Sequence, residues 1–192
     1  SSLSKQLKQV AKVTTIRNHP LVLSERDFFF TKMGSFDTHQ STTDLDQLTT
    51  ELDDGIKQFS DEMKAQGLWE NVTVVTISDF GRTLTSNGMG TDHAWAGHYT
   101  VAGGGLAGGQ ILGHYPTNLR PGDGTLEGAS LNIGRGRMIP TTPWEGIWHG
   151  VAQWLDVEDM RYVLPNIGSW IVGETMYTRA QMYADTAPEP EP

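Results

Sequence analysis

Apolar residues along the chain follow two rhythms, and the switches between them mark the elements. Leu3, Leu7, Val10 and Ala11 recur every three or four positions, which predicts an amphipathic helix over residues 3–15 that ends near His19-Pro20. Phe28-Phe29-Phe30-Thr31-Lys32-Met33 is a β-prone run instead. It predicts a buried strand over 27–33 that stops at Gly34 and delivers Ser35-Phe36-Asp37-Thr38-His39 into the next loop. Leu45, Leu48, Leu52, Ile56, Phe59 and Met63 return to helical spacing and make 44–66 the clearest helix, with Gly67 as its cap.

The β-branched run from Val72 to Ile77 predicts a second strand, closed by Ser78-Asp79-Phe80-Gly81. Further strands are expected at 98–102 and 110–112, joined by tight turns through the glycines of 103–109. Strand, helix and strand in alternation predict an α/β fold, with a mostly parallel sheet and flanking helices. Residues 117–137 are rich in Gly, Pro and Asn and read as a long surface excursion. Pro143 then opens a helix with Trp144, Ile147, Val151 and Leu155 on one face, which leaves Trp148 off the stripe and exposed. Beyond Trp170 the pattern fades. Residues 1–170 are therefore expected to form a single α/β domain and 171–192 an extension ending in the solvated tail Ala187-Pro188-Glu189-Pro190-Glu191-Pro192.

Composition narrows the function. At 192 residues the chain can bury a core without disulfides, and its lack of cysteine removes thiol catalysis and thiolate metal sites. Acidic residues outnumber basic ones 23 to 14, so no basic field exists to meet a nucleic-acid backbone. No apolar run approaches the roughly 18–20 residues that span a bilayer. The start at Ser1-Ser2, without a signal-peptide pattern, reads as that of a processed product.

In an open parallel sheet, ligands bind beyond the carboxyl ends of the strands, where three polar clusters are expected to converge. They are Asp37-Thr38-His39, Ser78-Asp79-Phe80-Gly81-Arg82, and Thr91-Asp92-His93 with His98. Asp and neutral His are ligands for Zn²⁺ and comparable divalent ions, so Asp37, His39, Asp79, Asp92 and His93 are the candidate metal ligands. Arg82 offers a forked guanidinium for a tetrahedral oxyanion, and His98 is the second candidate to stabilise charge on a transferred group. A lone Asp after a strand more often closes an Asx turn, and His19, His114 and His149 read as hydrogen-bonding surface residues. The co-occurrence of donors carries the metal reading. The 103–109 glycines lack the Lys-Ser/Thr of a P-loop, and Ser78 lacks the G-x-S-x-G elbow of a serine hydrolase.

Several motifs carry a resemblance. Phe36-Asp37-Thr38-His39, the stretch Thr76 to Thr83, the stretch Asn87 to His98, residues 108–113 and Arg135-Gly136-Arg137-Met138-Ile139-Pro140-Thr141-Thr142 together resemble the DUF1501 family, over about residues 3 to 170. The resemblance implies an alkaline-phosphatase-like fold of the phosphatase and sulfatase superfamily, and export, often by the twin-arginine route, to the periplasm, cell surface or beyond. It makes Asp37 and His39 resemble one metal-binding pair. Asp79 stands where a strand-end Asp of the Asp-His type would lie, with Phe80 in place of the usual His. Asp92-His93 resembles either that Asp-His pair or the later histidine ligand. Only the C-terminal half of the family's longer members is matched, and the early nucleophile of the superfamily has no counterpart here. Two functions are thus expected. The first is a hydrolase of small phosphate or sulfate esters, dependent on Zn, Mn or Ca, to which this chain supplies the metal-binding half. The second is a non-catalytic binding or structural subunit. In either, a partner chain or a second copy is expected to cover apolar surface.

Overall fold

The computed structural model describes residues 1–121 and 130–184 and divides the chain into two compact units. Unit 1 comprises Ser1–Val72 with Asn87–Thr91, and unit 2 comprises Thr73–Ser86 with the chain from Asp92 onward.

Unit 1 is built on two helices, α1 (Ser2–Thr15) and α2 (Leu45–Ala65). The Ser1 hydroxyl caps α1 by accepting from the Ser4 amide at 3.2 Å. Leu3, Leu7 and Ala11 form its buried stripe and pack against α2, where Phe59 and the fully buried Met63 lie on the inner face. Gly55 lets the helices approach, since a Cβ there would lie 3.2 Å from Leu3 Cδ2. Gly67, at φ +70°, ends α2 in a Schellman turn: its amide donates to Lys64 O and the Leu68 amide to Met63 O.

Residues 27–33 form no strand among the described residues, and Phe28 and Phe30 are 73% and 72% exposed. The expected buried strand is thus corrected to a largely exposed segment outside the sheets. Its backbone is tied by the Gln6 amide, which donates to Lys32 O at 2.7 Å and accepts from Lys32 N at 2.9 Å. β-Propensity reports fitness for a pleated surface and cannot supply a neighbouring strand.

Among its described residues unit 2 holds two small sheets. In the first, β1 (Val74–Val75) pairs antiparallel with β4 (Val101–Ala102), matching Val74 to Ala102 and Val75 to Val101. The second is the hairpin of β2 (Gly81–Ser86) and β3 (Thr91–Ala94), whose tip residues belong to unit 1. Among the described residues there is no large parallel sheet, so the expected α/β, alkaline-phosphatase-like architecture is overturned. Residues 110–112 form no strand. The physical reason is direction: apolar runs state which segments extend, whereas four residues between β2 and β3 permit only an antiparallel return.

The core of unit 2 forms around α3 (Glu145–Trp154) and the segment after Trp170. Val151, Tyr177, Met182 and Tyr183 are buried together, with Val75, Val101, Ile147, Trp148 and Trp154 against them. Trp148 is therefore a packing residue, contrary to its expected exposure, while Trp144 is half exposed. Besides α3, the short helices α4 (Met160–Val163) and α5 (Arg179–Met182) complete this region, and a Thr178–Gln181 capping box starts α5. Gly146 and Gly150 bring α3 onto the 175–178 backbone, where Gly146 O accepts from the Tyr177 amide. His149 is also not on the surface. It is 4% exposed, and its Nδ1 lies 2.8 Å from Tyr177 O, a bond in which the imidazole N–H donates to the carbonyl. Residues 122–129 of the expected excursion and the 187–192 tail lie outside the described residues. No described helix is long and apolar enough to cross a membrane.

Tyr183 supplies a test of this core. Burial pushes its phenol above the ordinary value, against a smaller lowering by its hydrogen bond with Thr73, 3.1 Å away. A raised folded-state pKa gives stability that is complete below the unfolded value near 10 and is lost as pH rises through the folded value. Urea melts between about pH 9 and 11 should therefore show falling stability, with a shallower fall in Tyr183→Phe, which also loses about 1 kcal/mol at neutral pH with the hydrogen bond. An equally steep fall in both proteins would contradict the placement of Tyr183.

Candidate metal centre

The local backbone explains why Asp37 and His39 meet. His39 N donates to Asp37 O and Thr38 N to Phe36 O, two successive tight turns that put residues 37 and 39 on one side. His39 Nδ1 lies 2.7 Å from Asp37 Oδ1, and both side chains are partly exposed. They line an open cleft of about 420 Å³ with Ser35, Thr38, Gln40, Ser41 and Asp44.

This turn is fixed by the tip of the β2–β3 hairpin. Thr91 N donates to Thr38 O at 3.1 Å, and Asn87 Nδ2 donates to His39 O at 3.0 Å. The same Asn87 closes its own turn, with Oδ1 accepting from the amides of Met89 and Gly90. Gly90 is buried where a Cβ would overlap Thr38 O and lie 2.8 Å from the His39 carbonyl carbon. Only glycine allows that approach.

The other candidate residues occupy unit 2. On β3, neighbouring side chains point to opposite faces, so Asp92 and His93 separate. Asp92 pairs with Arg135 at 2.6 Å, and its amide donates to Thr83 Oγ1. Arg135 adopts φ +56° in a turn organised by the buried Asn132, whose Oδ1 accepts from Gly134 and Gly136. His93 stacks on Phe80 with ring centroids 3.9 Å apart, and the Arg82 guanidinium lies 4.9 Å from the same Phe80 ring. Asp79 is exposed in the bend before β2. Burial, with a smaller contribution from the Asp79 charge, raises the Tyr99 phenol above its ordinary value. His98 is exposed and stacks on Tyr115.

A family model described as "Protein of unknown function (DUF1501)" matches residues 5–119, more than half of the chain. The chain belongs to the DUF1501 family. No curated protein and no solved structure matches it. The part of this DUF1501 chain covered by the family model contains Asp37, His39, Asp79, Arg82, Asp92, His93 and His98, while Arg135 lies beyond it. Sequence reasoning missed Arg135 as the partner of Asp92, and no local pattern announces that pair. It also missed the roles of Asn87 and Gly90, although Asn87-Gly88 between two extended runs is a hairpin signal.

Gly90→Ala should lower stability by about 1–3 kcal/mol, because the added methyl must push the Thr38 carbonyl aside. Thermal melts measure the loss, and hydrogen exchange at the Thr91 amide should accelerate. Wild-type exchange at that amide in the variant would show that the tip does not hold the turn.

Proposed function

We propose that Asp37 and His39 hold a divalent cation and that this chain serves a metal-dependent hydrolase of phosphate or sulfate esters. The observation that carries the reading is the Asp37–His39 pair in its glycine-tight mount. Two donors around a tetrahedral Zn²⁺ lie about 3.3 Å apart at bond lengths near 2.0 Å, so the 2.7 Å pair needs to open only slightly to take an ion. With Nδ1 as ligand, the imidazole proton moves to Nε2.

An imidazole and a carboxylate are donors of the kind that open catalytic sites use, in which a bound cation supplies an activated water and a Lewis acid. Asp92, paired with Arg135, His93, stacked on Phe80, and the exposed Asp79 belong to unit 2 and are not assigned to this pair.

Titration with Zn²⁺, Mn²⁺ and Ca²⁺ should give one bound ion per chain for at least one of them. Asp37→Ala and His39→Ala should each weaken binding at least tenfold. Aryl phosphate or sulfate hydrolysis by the protein with its natural partners should stop on chelation and in Asp37→Ala. Hydrolysis that survives both changes contradicts the proposal, whereas stoichiometric binding without hydrolysis selects the non-catalytic role.

A further inference from the structure

Phe28-Phe29-Phe30-Thr31-Lys32-Met33 lies in unit 1, outside the sheets, and its exposure alternates along the chain. Phe28 and Phe30 are 73% and 72% exposed and Phe29 between them 39%, while Lys32 is exposed between the half-buried Thr31 and Met33. Period two is the period of an extended chain. In such a chain the N–H and C=O of one residue point to the same side and those of the next residue to the other. The Gln6 carboxamide engages both groups of Lys32 and so completes one rung of a ladder on that side. The opposite side belongs to Phe29, Thr31 and Met33, and among the described residues no hydrogen bond engages the backbone of any of the three. Ser35, at φ +74°, ends the extended course after Gly34.

We infer that a second copy of this chain adds to that edge, antiparallel, across a two-fold axis at Thr31. A row of backbone donors and acceptors is satisfied best by another extended backbone, and this segment complements itself. Residues 28–34 are centred on Thr31, so the two-fold sets Thr31 against Thr31 and Phe29 against Met33, a thioether facing an aromatic ring. Between these rungs Lys32 stands opposite Phe30, which places a cation and its methylene stem beside an exposed ring. Lys32 is the one charged residue of 28–34, and this register opposes no two like charges. Nothing in the pairing depends on the cation site.

The chain has no cysteine, so a single engineered one reports on the pairing. Opposed residues of a hydrogen-bonded antiparallel pair have Cα atoms about 5.5 Å apart, within disulfide reach, whereas residue 28 would lie about 20 Å from its own copy in this register. Sedimentation velocity of the full chain at rising micromolar concentration should show a dimer. Under mild oxidation Thr31→Cys should be recovered as a covalent dimer and Phe28→Cys should not. Thr31→Pro, which removes the donor at the axis from both copies, should weaken dimerisation at least tenfold. Circular dichroism of α1 and α2 reads whether that variant stays folded, and the two cysteine variants carry the test where it does not. A monomer at every concentration would overturn the inference, as would equal cross-linking from positions 28 and 31, the mark of unspecific association through exposed rings. A dimer that cross-links at neither position uses another surface and overturns it as well.

Discussion

A glycine against a carbonyl sets the geometry of the candidate site. Gly90 occupies a position where a side chain would overlap Thr38 O, and the neighbouring Thr91 amide bonds that same oxygen. Thr38 is buried by this contact, and the residues on either side of it, Asp37 and His39, are left partly exposed beside the cleft. The arrangement gives a short loop the rigidity that a binding site needs: its backbone is held by a hairpin tip whose own turn is closed by the Asn87 side chain.

The spacing of Asp and His along the chain decides what each pair does. Asp37 and His39 are separated by one residue, and the tight turns between them place both on one side. Asp92 and His93 are adjacent on a strand, so they part to opposite faces and acquire different partners, Arg135 and Phe80. Both pairs read alike in the sequence as Asp-His sets. Only the backbone conformation beneath them shows that one forms a local pair and the other serves two separate environments.

The same distinction explains how much of the fold was legible. Helices satisfy their hydrogen bonds locally, and the apolar spacing of Leu3 to Ala11 and Leu45 to Met63 therefore located α1 and α2 to within a residue or two. Gly67 announced its Schellman turn for the same reason. Sheet structure depends on distant partners, and there the expectation of parallel strands failed: 27–33 found a glutamine side chain at one point rather than a ladder, and Val74–Val75 found Val101–Ala102 running the other way. The core of unit 2 was the least legible part. Met176, Tyr177, Met182 and Tyr183 follow Trp170 without a sustained period, and they are buried through individual turns and glycine-tight approaches to α3. Of the candidate site, the chemistry of Asp37 and His39 was readable, while the ion pair that engages Asp92 spans more than forty residues and leaves no local trace.

The central claim is that the loop mounted on the hairpin tip binds a cation through Asp37 and His39. Anomalous scattering from crystals grown with Zn²⁺, recorded on both sides of the zinc absorption edge, tests it most directly. The account predicts one strong anomalous peak at about 2.0–2.2 Å from Asp37 and His39. A map with no peak at Asp37 and His39, or with zinc bound only elsewhere on the chain, would contradict it.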